Sequence, residues 1–187
     1  MLKRFFLLLL TLVLLTGCRS RTDQLDLAMS VRKKLLESDG CSFDTIITVN
    51  FGDRIQNFGM QCRFDKKGNL FFTVKSPEMI AGITGEIAAG NGRLTFDDKV
   101  LAFPLLADGE ISPVSAPWLL MKSLRSGYLS SSSTNKTIKH VHIEDSYEAE
   151  PLTVDVCLNA SDLPISGEIF WKGTRILTIA VEKFAYL

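Results

Sequence analysis

The feature that most limits the fold of this chain is a change in its hydrophobic period near Phe43. Before that point, apolar residues recur at spacings of three and four, which predicts a helix over Asp23–Asp39 with a narrow apolar stripe. From Phe43 onward, apolar residues recur mainly at every second position, which is typical of strands with one buried face. Most of the chain is therefore predicted to form a sheet.

The order of the predicted elements indicates the fold class. The helix is followed by strands, a short excursion at Ser76–Gly82, further strands, a second helix over Trp118–Leu129, a polar loop at Ser130–Asn135 and three or four final strands. Segregated helices and strands indicate an α+β fold. Because two helices cannot cover every apolar position of a flat sheet, we expect a strongly curved antiparallel sheet. This unclosed β-barrel is predicted to wrap over two or three helices.

The N-terminus carries the pattern of an export signal. A basic start, Met1–Arg4, precedes an apolar run, Phe5–Leu15, which is shorter than the roughly 20 residues of a permanent membrane span. The run ends in Leu15-Thr16-Gly17-Cys18, which resembles the bacterial lipobox. The resemblance implies that residues 1–17 are a signal peptide and that a diacylglycerol is attached to the Cys18 sulfur. The residues also fit an ordinary secretory signal with an incidental cysteine, or an uncleaved N-terminal anchor.

The lipobox interpretation divides the chain into a signal peptide (1–17), a lipidated tether (18–22) and one domain (23–187). Its two acyl chains would hold the domain stably on the extracytoplasmic face of the cell membrane. The formal net charge is zero, with 21 Lys and Arg against 21 Asp and Glu. The chain thus lacks the basic excess that neutralises a phosphate backbone, and we expect no nucleic-acid partner.

One stretch resembles a known family of lipoprotein carriers. Residues 64–85 contain a Val74-x-x-Pro77 break and the run Gly82-Ile83-Thr84-Gly85, and a Leu94-Thr95-Phe96 strand follows. This pattern, with the terminal hairpin at Leu163–Ile179, resembles the LolA/LolB-like lipoprotein carriers, and more closely their lipid-anchored relatives in Gram-positive bacteria. The resemblance implies an unclosed barrel whose apolar cavity holds the acyl chains of a lipoprotein. In the germination branch of the family, it implies instead a protein that binds and supports a peptidoglycan amidase.

Two function classes follow from these observations. In the first, an apolar cavity binds an acyl chain or a lipoprotein. The residues predicted to line that cavity are Phe72, Val74, Met79, Ile80, Ile83, Trp118, Leu119, Met121 and Leu124. The same apolar pattern is also that of a solid core. In the second class, the chain is an accessory module that docks a cell-envelope enzyme through a sheet edge or its convex face.

Signals of catalysis are weak. His140 and His142 are two residues apart on a predicted strand, so they share a face and are spaced to reach one metal ion. An exposed polar face explains the pair better, because no further ligand has a known position. The acids Glu144, Asp145, Glu148 and Glu150 are predicted to form a solvated turn. No nucleophile motif is present, so we expect neither an enzyme nor a bound cofactor or metal.

Three cysteines remain after lipidation of Cys18: Cys41, Cys62 and Cys157. An odd count in an exported protein requires at least one free thiol or an intermolecular bridge. Strand parity places Cys62 on the apolar face of its strand and Cys157 on the polar face, so these two cannot easily meet. Cys41–Cys62 is the more plausible bridge, and buried or surface thiols are the alternative.

Overall fold

The computed structural model describes residues 20–50, 54–96, 98–104, 106–107, 110–145 and 152–187. The predicted signal peptide and Cys18 lie outside these residues, as do Glu148 and Glu150. The two α-helices of the described part are α1 (Ser20–Glu37) and α2 (Ala116–Ser126). Neither is both long and apolar enough to cross a membrane. The strands are β1 (Gly40–Asn50), β2 (Ile55–Asp65), β3 (Leu70–Ser76), β4 (Thr84–Ala88), β5 (Asn91–Phe96), β6 (Lys99–Pro104), β7 (Leu106–Ala107), β8 (Glu110–Ile111), β9 (Tyr128–Asn135), β10 (Ile138–Glu144), β11 (Leu152–Leu158), β12 (Pro164–Trp171) and β13 (Thr174–Tyr186).

Eleven of the described strands form one antiparallel sheet, in the order β6-β5-β4-β3-β2-β1-β13-β12-β11-β10-β9. Each half is a meander of consecutive strands, and the pairing of β1 with β13 joins the two halves at pairs such as Ile47 and Ile179. The end strands β6 and β9 are not paired with each other, so the sheet does not close. The prediction of an α+β fold built on an unclosed antiparallel barrel is confirmed.

The period of two produces one buried face along the sheet. In β1, for example, the side chains of Phe43 and Ile47 are 2% and 0% exposed, whereas the intervening Ile46 is 42% exposed. The two helices cover the buried face, since α1 contacts α2, β1 and β9, while α2 contacts β2 and β10–β13. Sheet and helices therefore share a single apolar core.

Gly40 allows the chain to pass directly from α1 into β1. Its φ of +136° lies in a region that side chains rarely adopt, and a Cβ there would lie 2.2 Å from the carbonyl oxygen of Phe64. The close approach places β1 beside β2 immediately after the helix. The helix itself begins at Ser20, three residues before the predicted start.

The prediction of a polar loop at Ser130–Asn135 is wrong, because these residues belong to strand β9. β9 is an edge strand that pairs with β10 alone in the described sheet. An edge strand can carry small polar side chains on both faces: Ser131 and Ser133 are exposed, whereas the Ser132 hydroxyl is buried, and the serines leave no apolar alternation in the sequence. The second helix ends earlier than predicted, at Ser126.

Candidate functional site

Helix α2 lies inside the curve of the sheet, where a carrier of this architecture would need its cavity. Its apolar side chains are at most 7% exposed; they are Trp118, Leu119, Leu120, Met121 and Leu124. Lys122, Arg125 and Ser126 lie on the remaining side of the helix, so α2 is amphipathic and turns its wide apolar side toward the core. Its side chains thus fill space on the concave side of the sheet.

Two contacts set the position of α2. Leu120 lies over Gly167 of β12, where a Cβ would be only 2.7 Å from a Leu120 methyl carbon, so the glycine lets the helix approach the sheet closely. The second contact is a hydrogen bond of 3.0 Å, which the indole Nε1 of Trp118 donates to the carbonyl oxygen of Gly68 in the turn between β2 and β3. The buried indole is therefore satisfied, as such groups usually are.

The structure brings together most residues that were predicted to line a cavity. Six of them are buried in one core cluster: Phe72, Val74, Trp118, Leu119, Met121 and Leu124. Ile80 and Ile83 are half-buried and pack against that cluster. Met79 does not join them, because it projects from the short 3₁₀ turn Glu78–Ile80 and is 92% exposed. The predicted set is therefore a continuous apolar cluster with one member in solvent.

The glycines of the Gly82–Gly85 motif have separate structural roles. Gly82 has a φ of +90°, which a side chain rarely adopts, and it ends the excursion between β3 and β4. Gly85 is covered by the ring of Phe72, since a Cβ on Gly85 would lie 2.2 Å from the ring atom Cζ. The two residues are directly paired across β3 and β4. The motif thus provides a tight turn, followed by a position without a side chain on which an aromatic ring packs.

The C-terminal end of α2 is held by Arg32 of α1. The guanidinium donates hydrogen bonds to the carbonyl oxygens of Leu124, at 3.0 Å, and Gly127, at 2.5 Å. Partial burial lowers the pKa of Arg32, but the group stays charged because an arginine does not lose its proton in a protein. A cation at this end of a helix also offsets the negative end of the helix dipole.

A buried carboxylate ties α2 to the end of β10. Oδ2 of Asp145 lies 3.0 Å from the Lys122 ammonium nitrogen and accepts a hydrogen bond of 3.1 Å from the Ser123 hydroxyl. The Asp145 side chain is 1% exposed and its Oδ1 has no hydrogen-bond partner in the described structure. The prediction of a solvated turn is therefore wrong at Asp145, whose partners lie 22 and 23 residues earlier in the chain.

The two histidines lie in a polar concavity of about 860 Å³ on the outer face of the sheet. His140 and His142 share this face as predicted, yet each has its own partner on β11. The Nδ1 of His140 is 3.3 Å from the Cys157 sulfur, while His142 pairs with Asp155. Within the part of the chain that the structure describes, no three His, Cys, Asp or Glu residues are arranged to hold a metal ion. Hydroxyl and amide side chains of β9, together with residues of β12 and β13 such as Glu168 and Thr178, line other parts of the concavity.

The two edges of the described sheet differ in character. Edge strand β6 exposes Val100 and Leu101, at 65% and 64%, and the neighbouring Phe96 of β5 is 51% exposed. Edge strand β9 exposes Tyr128 at its start, at 70%, and then the serines Ser131 and Ser133. Because an edge strand presents unpaired backbone donors and acceptors, apolar side chains beside them make β6 the better surface for a partner.

Comparison with known proteins gives matches at the level of structure. No family model and no curated protein matches the sequence. A LolA superfamily protein from Nitrosomonas europaea has 10% identity, a TM-score of 0.44, and coverage of 84% of this chain and 92% of its own. The likeness to this protein is one of fold alone.

Two further structures cover most of this chain. An outer membrane lipoprotein-sorting protein domain from Vibrio parahaemolyticus has 10% identity and a TM-score of 0.47, over 88% of this chain and 92% of its own. A structure of the CwlD amidase in complex with the GerS lipoprotein, from Clostridioides difficile, matches with 16% identity and a TM-score of 0.43, over 87% of this chain and 95% of that one.

The three cysteines among the described residues are free thiols with different environments. Cys41 and Cys62 are buried on the inner face, and burial raises the pKa of Cys41 to about 12 and that of Cys62 further above its usual range. Cys157 is half-buried on the outer face beside His140. The parity prediction that separated Cys62 from Cys157 is confirmed, and the Cys41–Cys62 bridge is not formed in this structure.

Iodoacetamide at pH 8 is expected to modify Cys157 at least ~10-fold faster than Cys41 or Cys62, because the thiolate is the reactive form and burial suppresses it. Peptide mass spectrometry of the detergent-solubilised protein over time measures the three rates. In guanidinium chloride all three thiols should react at similar rates. Faster modification of Cys41 or Cys62 in the native protein would contradict the buried positions of these residues.

Two features of the site have little or no signal in the sequence. Val100 and Leu101 are recognisable as strand residues, but the sequence alone does not say that their strand is an edge. The pair of Lys122 and Asp145 joins a helix to a strand end across 23 residues, and no local pattern marks it. Both features depend on the topology of the sheet.

Proposed function

We propose that this chain is a non-catalytic lipoprotein of the extracytoplasmic membrane face that binds another envelope protein. The lipid anchor is Cys18, for which the lipobox pattern is the support. The partner class is a peptidoglycan amidase, which the sequence resemblance to the germination branch implies.

The observation that carries this proposal is the packing of α2. A lipoprotein carrier needs room for acyl chains on the concave side of its sheet, and ligand pockets generally have volumes of about 300–1,000 Å³. Here Leu120 and Met121 are both 0% exposed, and Trp118 reaches across to the carbonyl of Gly68. Because side chains already occupy this position, protein binding fits the geometry better than acyl binding.

The docking surface we propose is the β6 edge, defined as Phe96, Val100 and Leu101. A partner strand added beside β6 would satisfy the unpaired backbone groups of that edge. Val100 and Leu101 are adjacent, so they point to opposite faces of the sheet and would both contact such a strand.

One observation favours binding of an apolar ligand as a second candidate. The inner face of β5 and β6 lies beyond α2, and there Leu94 and Phe103 are only half-buried while Leu101 is 64% exposed. An acyl chain could extend the apolar core across these residues. A ligand held there would be more exposed than one enclosed in a barrel, so we place this candidate second.

The test compares amidase binding by edge variants of the lipidated protein in nanodiscs. Val100→Lys combined with Leu101→Lys places charges at the β6 edge, where both residues are too exposed to carry much stability. We expect it to weaken binding of the cognate amidase at least ~10-fold in surface plasmon resonance. The matched control, Ser131→Lys combined with Ser133→Lys, places the same charges at the β9 edge and should leave the affinity unchanged.

Two results would count against the proposal. No binding of the wild-type protein to any peptidoglycan amidase of the same genome would remove the partner class, and equal affinity of both lysine variants would remove the β6 edge. A bound lipid in native mass spectrometry, in addition to the acyl groups on Cys18, would favour the ligand candidate.

A further inference from the structure

Helix α1 has an exposed apolar face that no described element covers. Met29 and Leu36 are 49% and 47% exposed and lie seven residues apart, so they share one side of the helix. With Lys33 between them, they line a shallow concavity of about 580 Å³ on the helix surface. The opposite side of α1 packs on the core through Val31 and Leu35, which are 0% and 5% exposed.

The length of chain between the proposed anchor and α1 limits what can cover this face. The helix begins at Ser20, only two residues after Cys18. Two extended residues span at most about 7 Å, so the start of α1 must lie close to the headgroups that surround the anchored lipid. From there to Leu36 the helix extends about 24 Å at 1.5 Å per residue. A helix that lies flat would keep its whole exposed face at the bilayer surface.

The side chains on this face fit a lipid surface. Met29 and Leu36 can enter the boundary between headgroups and acyl chains, as apolar residues of interfacial helices do. Lys33 is exposed beside them, and a long lysine side chain can bury its methylenes while its ammonium group reaches a lipid phosphate. Glu37 also lines the concavity and pairs with Lys33 at 3.8 Å, so a lipid phosphate would replace this exposed carboxylate as the partner of Lys33.

We propose that the Met29–Leu36 face of α1 lies on the bilayer surface and so orients the domain on the membrane. This inference rests on the proposed lipid anchor at Cys18. Because α1 packs against α2 on the concave side of the sheet, the contact directs that side toward the membrane and the polar outer face, with His140 and His142, away from it. The domain then has one orientation, rather than rotating freely about its tether.

The experiment measures acylation of lysines in the lipidated protein on vesicles of phosphatidylcholine with phosphatidylglycerol. A membrane-impermeant succinimidyl ester labels exposed lysines, and peptide mass spectrometry gives the ratio of Lys33 to Lys183 labelling. Lys33 is 73% exposed, and Lys183, near the C-terminal end of β13, is 79% exposed. We expect the bilayer to slow Lys33 labelling at least ~5-fold relative to Lys183.

Matched variants separate a membrane contact from other sources of protection. Met29→Gln with Leu36→Gln should restore Lys33 labelling, since both residues are half-exposed and glutamine has a similar helix propensity. The control, Ile46→Gln with Ile55→Gln, changes two exposed apolar residues of the sheet and should leave Lys33 protected.

The outcomes also separate this inference from the anchor itself. If Cys18 carries its acyl mass and the protein sediments with the vesicles, but Lys33 is labelled as fast as Lys183, the membrane contact of α1 is wrong and the anchor stands. If Cys18 carries no acyl group, both proposals are wrong. If Lys33 remains protected in the glutamine variant, its protection comes from another contact, and the inference is wrong.

Discussion

Replacing Leu120 with alanine is expected to lower the free energy of unfolding by about 2–5 kcal/mol, the range for a large-to-small change in a packed core. Leu120 is 0% exposed and lies between α2 and Gly167 of β12. Since the glycine offers no side chain to move into the space, little relaxation can refill it, and we expect a value in the upper half of the range. Urea denaturation followed by circular dichroism measures the change.

The same variant also tests whether the concave side is filled in the wild type. A dry apolar cavity left by the missing side chain should admit a small apolar molecule such as benzene, which the wild-type protein should not bind. The control is Leu101→Ala, which shortens a residue 64% exposed at the β6 edge and should change stability by no more than about 0.5 kcal/mol. Benzene binding of equal strength by the wild type would contradict a filled interior and would support the ligand candidate.

The sequence predicted those parts of the fold that depend on local periodicity. The opposite faces of Cys62 and Cys157 follow from strand parity alone, because the side-chain period of a strand does not depend on its neighbours. We predicted a curved sheet because two helices cannot cover all the apolar positions of a flat one, and the structure confirms this prediction. The prediction of a loop at Ser130–Asn135 failed because pairing with β10 holds these residues in the sheet, although their polar side chains give no apolar alternation.

The candidate site was less predictable, because its residues come together through topology. Six of the nine cavity candidates are buried in the core. The apolar pattern alone does not distinguish residues that line a cavity from residues that fill a solid core. Met79 has the same apolar character and lies almost fully in solvent, since the excursion that carries it projects from the sheet. Asp145 appeared to belong to an acidic surface turn, although its neutralising partner Lys122 is on a helix that only the folded chain brings near.

Replacing Lys122 with methionine is expected to lower the free energy of unfolding by about 3 kcal/mol. Removing one member of a buried ion pair costs about 3–5 kcal/mol because the remaining charge is left without compensation. We expect the lower end of that range, since the Lys122 side chain is 34% exposed and water can approach from its side, whereas the Asp145 side chain is 1% exposed. Asp145 would keep only the Ser123 hydroxyl as a side-chain partner.

A double-mutant cycle with Asp145→Asn isolates the interaction. The double variant should be more stable than the sum of the single changes predicts, by at least about 1 kcal/mol, because neither charge is then left buried alone. Additive losses would mean that the pair contributes little to holding α2. The value bears on function, because acyl chains could enter the part of the concave side that α2 covers only if this helix moved away from the sheet. That movement would separate Lys122 from Asp145, so the coupling energy is part of the cost of opening, and a large coupling favours a rigid protein-binding domain over a carrier.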